Sequence, residues 1–215
     1  MKMNLTRLVS CVIPCLALCL NQNATAEVVV NISQVGSDVV ATGSGSFDTA
    51  DLINDLTIPN VPAFVQSGYA TLDIGSTETV LRYDDFSSFI PVGPTDFGTN
   101  LAVINASSGT GDNFGFGEFV QNPSPYPGLI VVPTGYVSGS SLSGTATWDD
   151  QTLSSLGIVP GTYTWTWGSG PTADSFTINA TDSAAPEPGA FGLSVVAAGP
   201  FILGWRKRSV WLRSV

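Results

Sequence analysis

The apolar residues of this chain follow two rhythms. Near each end they run together, at Leu8 to Leu20 and at Ala190 to Trp205. Between these runs they come in short bursts alternating with Thr, Ser and Asn, cut every few positions by Gly or Pro. A period of two marks a half-buried strand. It predicts strands at Val28 to Val35 and Val39 to Phe47, flanking a hairpin signal at Gly36-Ser37-Asp38. It predicts others at Tyr69 to Ile74, Thr79 to Tyr83, Leu101 to Asn105, Phe114 to Val120 and Leu129 to Val132. Ser143 to Trp148, Thr162 to Trp167 and Ser175 to Ala180 complete the set. Strands this short and this closely spaced argue for an all-β fold, a single antiparallel β-sandwich of jelly-roll or immunoglobulin-like type. Two short helical turns are expected within it. Asp48 is placed to cap one that carries Leu52, Ile53 and Leu56, with Asp51 in its first turn. Asp149 or Asp150 is placed to cap a second through Leu153 and Leu156.

The two apolar runs carry different flanks. Lys2 and Arg7 precede the first, and Ala24-Thr25-Ala26 follows it. Positive region, apolar core and small residues, in that order, are the parts of a secretory signal peptide, with cleavage expected after Ala26. The three cysteines, Cys11, Cys15 and Cys19, all lie within it, so the mature chain would hold no disulfide and no thiol. Ala190 to Trp205 gives 16 positions, apolar except for Ser194. At ~1.5 Å per residue these span about 24 Å as a helix, short of a ~30 Å hydrocarbon core. Arg206, Lys207 and Arg208 follow directly and can snorkel, while Trp205 and Trp211 suit the interface. Three such charges would not be buried unpaired in a soluble core. Positive residues stay cytoplasmic, so the C-terminus is expected inside and residues 27–185 outside the inner membrane. The expected organisation is a signal peptide (1–26), an exported β domain (27–181) and a linker (182–188). A transmembrane segment with its basic stop (189–208) and a short cytoplasmic tail (209–215) follow.

Charge sharpens this picture. Residues 27–185 hold sixteen acids against one base, Arg82, a formal −15. Such a domain repels nucleic acid and anionic lipid and stays dispersed without lysine. The chain has no His, and the expected mature body has no Lys or Cys. That excludes Ser-His-Asp catalysis, Schiff-base chemistry and thiol chemistry. A carboxylate pair for glycan hydrolysis is the remaining enzymatic option. Asp84-Asp85 and Asp149-Asp150 are sequence neighbours, which on a strand would point to opposite faces, and Glu78 with Glu118 is a distant pair. The expectation is therefore a non-enzyme.

Pro186-Glu187-Pro188 stands just before the second apolar run. The prolines fix φ near −65° and push Ala185 and Glu187 into extended backbone. A peptide preordered in this way loses little entropy on entering a protease cleft, and Glu187 adds one charge for specificity. The order Pro186-Glu187-Pro188, apolar run, Arg206-Lys207-Arg208 resembles the tail of bacterial PEP-CTERM proteins. Within residues 129–180, Val132-Pro133-Thr134-Gly135-Tyr136-Val137-Ser138-Gly139, Ser143-Gly144-Thr145-Ala146-Thr147-Trp148 and Pro160-Gly161-Thr162-Tyr163-Thr164-Trp165-Thr166-Trp167-Gly168 look like the body of many members. The resemblance implies export in a Gram-negative bacterium and recognition by exosortase, an integral membrane cysteine transpeptidase. It also implies association with exopolysaccharide and biofilm at the cell surface or in the extracellular matrix, and glycosylation in many members. Two departures stand out: Ser209 to Val215 follow the basic stop, and Gly residues and Pro200 interrupt the span.

Three further candidates lie in the body. Tyr163, Trp165 and Trp167 alternate along one strand, so they share a face. Exposed, they would form a stacking platform for sugar rings, the mark of a carbohydrate-binding module. Buried, they would form the core face of the sandwich. Asp48, Asp51 and Asp55 recur at helical spacing and would offer calcium a shared set of oxygens, although helix capping is the simpler reading. Beyond calcium, no cofactor is expected. Asn31-Ile32-Ser33, Asn105-Ala106-Ser107 and Asn179-Ala180-Thr181 match the acceptor pattern for N-glycosylation.

Overall fold

A computed structural model describes residues 26–49, 52–83, 90–117, 120–121, 124–125 and 128–182. Its strands are β1 (Ala26–Val35), β2 (Asp38–Gly45), β3 (Asn54–Val61), β4 (Phe64–Gln66) and β5 (Thr71–Ile74). Next come β6 (Glu78–Tyr83), β7 (Ile104–Asn105), β8 (Ser108–Gly111), β9 (Phe114–Gly117) and β10 (Val120–Gln121). The last are β11 (Ser124–Pro125), β12 (Leu129–Pro133), β13 (Leu142–Trp148), β14 (Gly161–Trp167) and β15 (Asp174–Thr181). The fold is all-β. Among the described residues the helical content is two 3₁₀ turns, Ser67–Tyr69 and Gly170–Thr172. No helix there is long and apolar enough to cross a membrane.

The strands form two main sheets. The first runs β14-β15-β1-β2-β13-β8, the second β3-β6-β12-β9-β5-β4-β7, and β10 with β11 makes a small ribbon. Alternate side chains of the central strands of both sheets enter one shared core. Val28, Val30 and Ile32 enter from β1, Phe176, Ile178 and Ala180 from β15, and Ala146 and Trp148 from β13. Leu72 and Ile74 (β5), Phe114 and Phe116 (β9), and Ile130 and Val132 (β12) meet them from the second sheet. Burial of this kind is worth roughly 25 cal/mol per Å² of apolar surface, which is what holds the sheets together.

The hairpin at residues 36–37 forms as expected. Val35 pairs with Asp38, and Gly36 takes φ 62°, a left-handed value that glycine adopts freely. The expected strands recur with shifted ends. The strand expected from Tyr69 begins at Thr71, because Ser67–Tyr69 is a 3₁₀ turn closed by Ala70 at φ 49°.

Three expectations need correction. The first sheet is mixed, not antiparallel: β1 and β15 pair in parallel from Ala26↔Asp174 to Ser33↔Thr181. The helix expected from Asp48 is absent. Residues 54–61 are instead β3, paired to β6, with Ile53 and Leu56 exposed. A helix of that length is marginal alone, and an open edge on β6 supplies ladder bonds that a helix cannot match. The second turn does form, but Thr152 caps it. Ser155 N–H donates to Thr152 Oγ1 at 3.0 Å, Thr152 N–H to Ser155 Oγ at 2.9 Å, and Leu156 N–H to the Thr152 carbonyl at 3.1 Å. Asp149 and Asp150 precede it, and the Asp150 N–H donates to Asp38 Oδ1 at 2.9 Å, which helps hold that carboxyl below its usual range.

Candidate functional site

On β14 the threonines face out and the aromatics face in. Thr162, Thr164 and Thr166 are exposed, whereas Trp165 is fully buried and Trp167 nearly so. The Trp165 ring lies 5.1 Å from that of Phe116 and 6.3 Å from that of Phe176, centroid to centroid. Its indole N–H donates to the Pro94 carbonyl at 2.6 Å, so no polar atom is stranded. Trp167 stacks on Phe116 at 5.8 Å. Tyr163 is half-buried at the edge. Its hydroxyl donates to the Val159 carbonyl at 2.9 Å, and desolvation with the nearby Asp96 charge raises its pKa. The sugar platform proposed for Tyr163, Trp165 and Trp167 is therefore corrected. Trp165 and Trp167 are core because β9 brings Phe116 against them from the opposite sheet, and Tyr163 packs at the margin against Phe97.

The helical face expected to bring the calcium candidates together does not form. Asp55 lies within strand β3, and Asp51 lies outside the described residues. Asp48 joins a different group. Its carboxylate accepts the Ser138 hydroxyl at 2.7 Å, and its N–H donates to Asp174 Oδ2 at 2.9 Å. The Tyr136 hydroxyl accepts the Phe47 N–H at 2.9 Å and lies 3.0 Å from the Phe47 carbonyl and 2.9 Å from that of Ser140. Together these bonds latch Phe47 and Asp48 to the loop after β12 and to Asp174 of β15. Burial pushes the Asp174 carboxyl up to about 6, the Asp48 charge adds to the rise, and the N–H groups of Asp48 and Ser175 oppose it. No group of three or more His, Cys, Asp or Glu positioned for a metal occurs among the described residues.

No protein-family model matches the chain, and no curated protein or solved structure matches it.

The expected sorting residues Pro186, Glu187 and Pro188, the expected basic stop Arg206, Lys207 and Arg208, and Ala24 of the expected cleavage site lie outside the described residues. Ala26 is the first residue of β1. Asp84, Asp85 and Glu118 are likewise outside. Glu78 serves the fold by accepting the Asn113 N–H at 2.6 Å. Two of the three glycosylation candidates meet on the outer face of the first sheet. Asn179 donates its side-chain amide to Asn31 Oδ1 at 3.1 Å and accepts the Thr162 hydroxyl at 3.0 Å. Asn105 is exposed on β7.

One group escaped the sequence reading. Asp73 lies between Leu72 and Ile74 on β5, so its side chain points away from the shared core. It is nonetheless only 2% exposed, and its Oδ1 has no hydrogen-bond partner. Burial alone pushes its carboxyl up to about 7. It lines a pocket of about 110 Å³ with Phe64, Thr71, Val80, Leu129 and Val131 among the walls. The available signal was the run Phe114-Gly115-Phe116-Gly117 on β9. It places phenylalanines in the core and leaves the opposite side bare.

Proposed function

We propose that this chain is an exported, non-catalytic protein of the cell surface or extracellular matrix. It carries a PEP-CTERM-type sorting signal, is processed by exosortase, and belongs with exopolysaccharide and biofilm. One observation carries the reading. Pro186-Glu187-Pro188, an apolar run and Arg206-Lys207-Arg208 follow one another, opposite an N-terminal segment built like a signal peptide. Each part alone is ordinary, and the order is what makes an address.

The fold supports this reading in two ways. The described β domain occupies the stretch between the two apolar runs, from Ala26 at the start of β1 to Asp182 just past β15. Because β1 and β15 are parallel, the chain enters beside Asp174 and leaves beside Ser33, at opposite ends of the sheet. At ~3.3 Å per residue the seven steps between these ends put them about 23 Å apart. Signal removal at one pole therefore leaves the tether at the other untouched. On this reading the domain is a two-sheet sandwich of jelly-roll or immunoglobulin-like type whose first and last strands close side by side. Its polar outer face suits a hydrated polysaccharide surrounding, and its acidity keeps it dispersed there.

Glu187→Ala tests the sorting role. The expected product is a longer form retained in the inner membrane, read by immunoblot of cell fractions. An unchanged size and location would contradict the proposal.

A further inference from the structure

The outer face of the second sheet is indented where β9 crosses it. Gly115 and Gly117 offer no side chain there, and Thr71 and Asp73 of β5 lean over the gap. A Cβ on Gly115 would run into Asp73 Oδ1 and the Leu72 carbonyl, and one on Gly117 would stand 2.8 Å from Thr71 Oγ1. The glycines thus make room for a carboxylate in mid-sheet, with Val131 and Leu129 of β12 and Val80 of β6 as the far wall. A buried carboxylate normally accepts several hydrogen bonds or faces a cation. Asp73 Oδ1 accepts none. The other charged lining residue among those described is Arg82 on β6, three strands from β5. At ~4.8 Å per strand the two backbones stand about 14 Å apart. Burial pushes the Asp73 carboxyl up to about 7.

We propose that this pocket binds a primary ammonium group on a short alkyl stem, the head donating to Asp73 and the stem lying against Val80, Leu129 and Val131. Such a group brings a donor and a positive charge to Asp73 together, and Ile58, Val61, Phe64, Val80, Leu129 and Val131 give its alkyl stem an apolar wall, with Thr71 and Arg82 the other polar lining residues. A cavity of about 110 Å³ is comparable in size to ones that hold a benzene-sized guest. The site is independent of the sorting signal and would work on any exported form of the domain.

The test is a carboxyl-carbon NMR titration of Asp73 in the full chain held in mild detergent, with and without n-butylammonium chloride, with n-butanol as the uncharged control. Butylammonium is expected to lower the Asp73 midpoint by about one unit, a tenfold preference for the ionised form. It is also expected to raise the melting temperature above that midpoint. Butanol should do neither. Asp73→Asn keeps the shape, removes the charge and should lose the thermal response. An Asp73 midpoint indifferent to butylammonium would overturn the proposal, as would an equal response to butanol or an undiminished one in Asp73→Asn. Should Asp73→Asn fail to fold, the wild-type midpoint decides alone. A parallel titration with Nα-acetyl-lysine methylamide separates sources. A matching shift assigns the site to a partner's lysine side chain, and its absence assigns it to a free small amine.

Discussion

Along β13, β2, β1, β15 and β14 the residues that turn away from the core are mostly Thr, Ser and Asn. Along β5, β6 and β12 of the second sheet they include Asp73, Val80, Leu129 and Val131, and all four are buried. On the first sheet the polar side chains register strand to strand: Thr162, Asn179, Asn31, Thr42, Thr145 and Thr110 form one row. They satisfy one another sideways, as Thr145 with Thr110 at 2.8 Å and Thr164 with Thr177 at 3.1 Å, and stay open to water. On the second sheet Val80, Leu129 and Val131 form a cluster of their own, apart from the main core. The same alternation therefore means different things on the two sides. On the first sheet it separates wet from dry. On the second it separates a large dry core from a small one, and Asp73 falls in the small one.

The largest test of the inside-outside distinction is on β14. Trp165→Ala is expected to cost about 4 kcal/mol in urea unfolding, since it empties a packed site between both sheets. Thr164→Ala, one residue away on the outer face, should stay within about 0.5 kcal/mol. Equal costs would mean that the faces are misassigned.

The second test concerns pH. Asp73 and Asp174 hold pKa values of about 7 and about 6 in the folded protein, against 3.8 for an ordinary aspartate. The folded state therefore keeps protons that the unfolded state has already lost. Stability should fall as pH rises from about 4 to 7 and level off above that, the reverse of a salt-bridged acid. Asp73→Asn should remove the part of this loss between pH 6 and 7 and reduce the rest, a gain on the order of 3 kcal/mol at neutral pH. Asp174 keeps some slope below about 6 in that variant. Denaturation of both proteins across this range measures it, and parallel curves would show that Asp73 is solvated.

Gly115→Ala comes third. The added methyl meets Asp73 and backbone, so a loss of about 2 kcal/mol is expected in the same unfolding assay. The smallest effect is on the first sheet, where Thr145→Ala forfeits one cross-strand bond to Thr110 for about 0.5 kcal/mol.

Much of this was legible in the alternation. Ser175 to Ala180 and Thr162 to Trp167 read as strands because their buried and exposed residues differ sharply in type. β3 did not, because Leu52, Ile53 and Leu56 after Asp48 mimic a capped helical face, and only the free edge of β6 decides against it. The parallel pairing of β1 with β15 joins residues 148 apart and leaves no local trace, as Ala26↔Asp174 illustrates. Asp73 passed as the polar half of Thr71-Leu72-Asp73-Ile74. Its burial depends on bare Gly115 and on side chains from four other strands, which no local window contains. The residues of the proposed sorting signal behave in the opposite way. Their meaning lies in their order along the chain and does not pass through the fold.

That order carries the central claim, and the intact mass of the protein purified from the cells that naturally make it tests the claim most directly. The account predicts a chain beginning at Glu27 and lacking the apolar run from Ala190 to Trp205. A single unbroken species from Met1 to Val215, recovered from the cytosol, would contradict it.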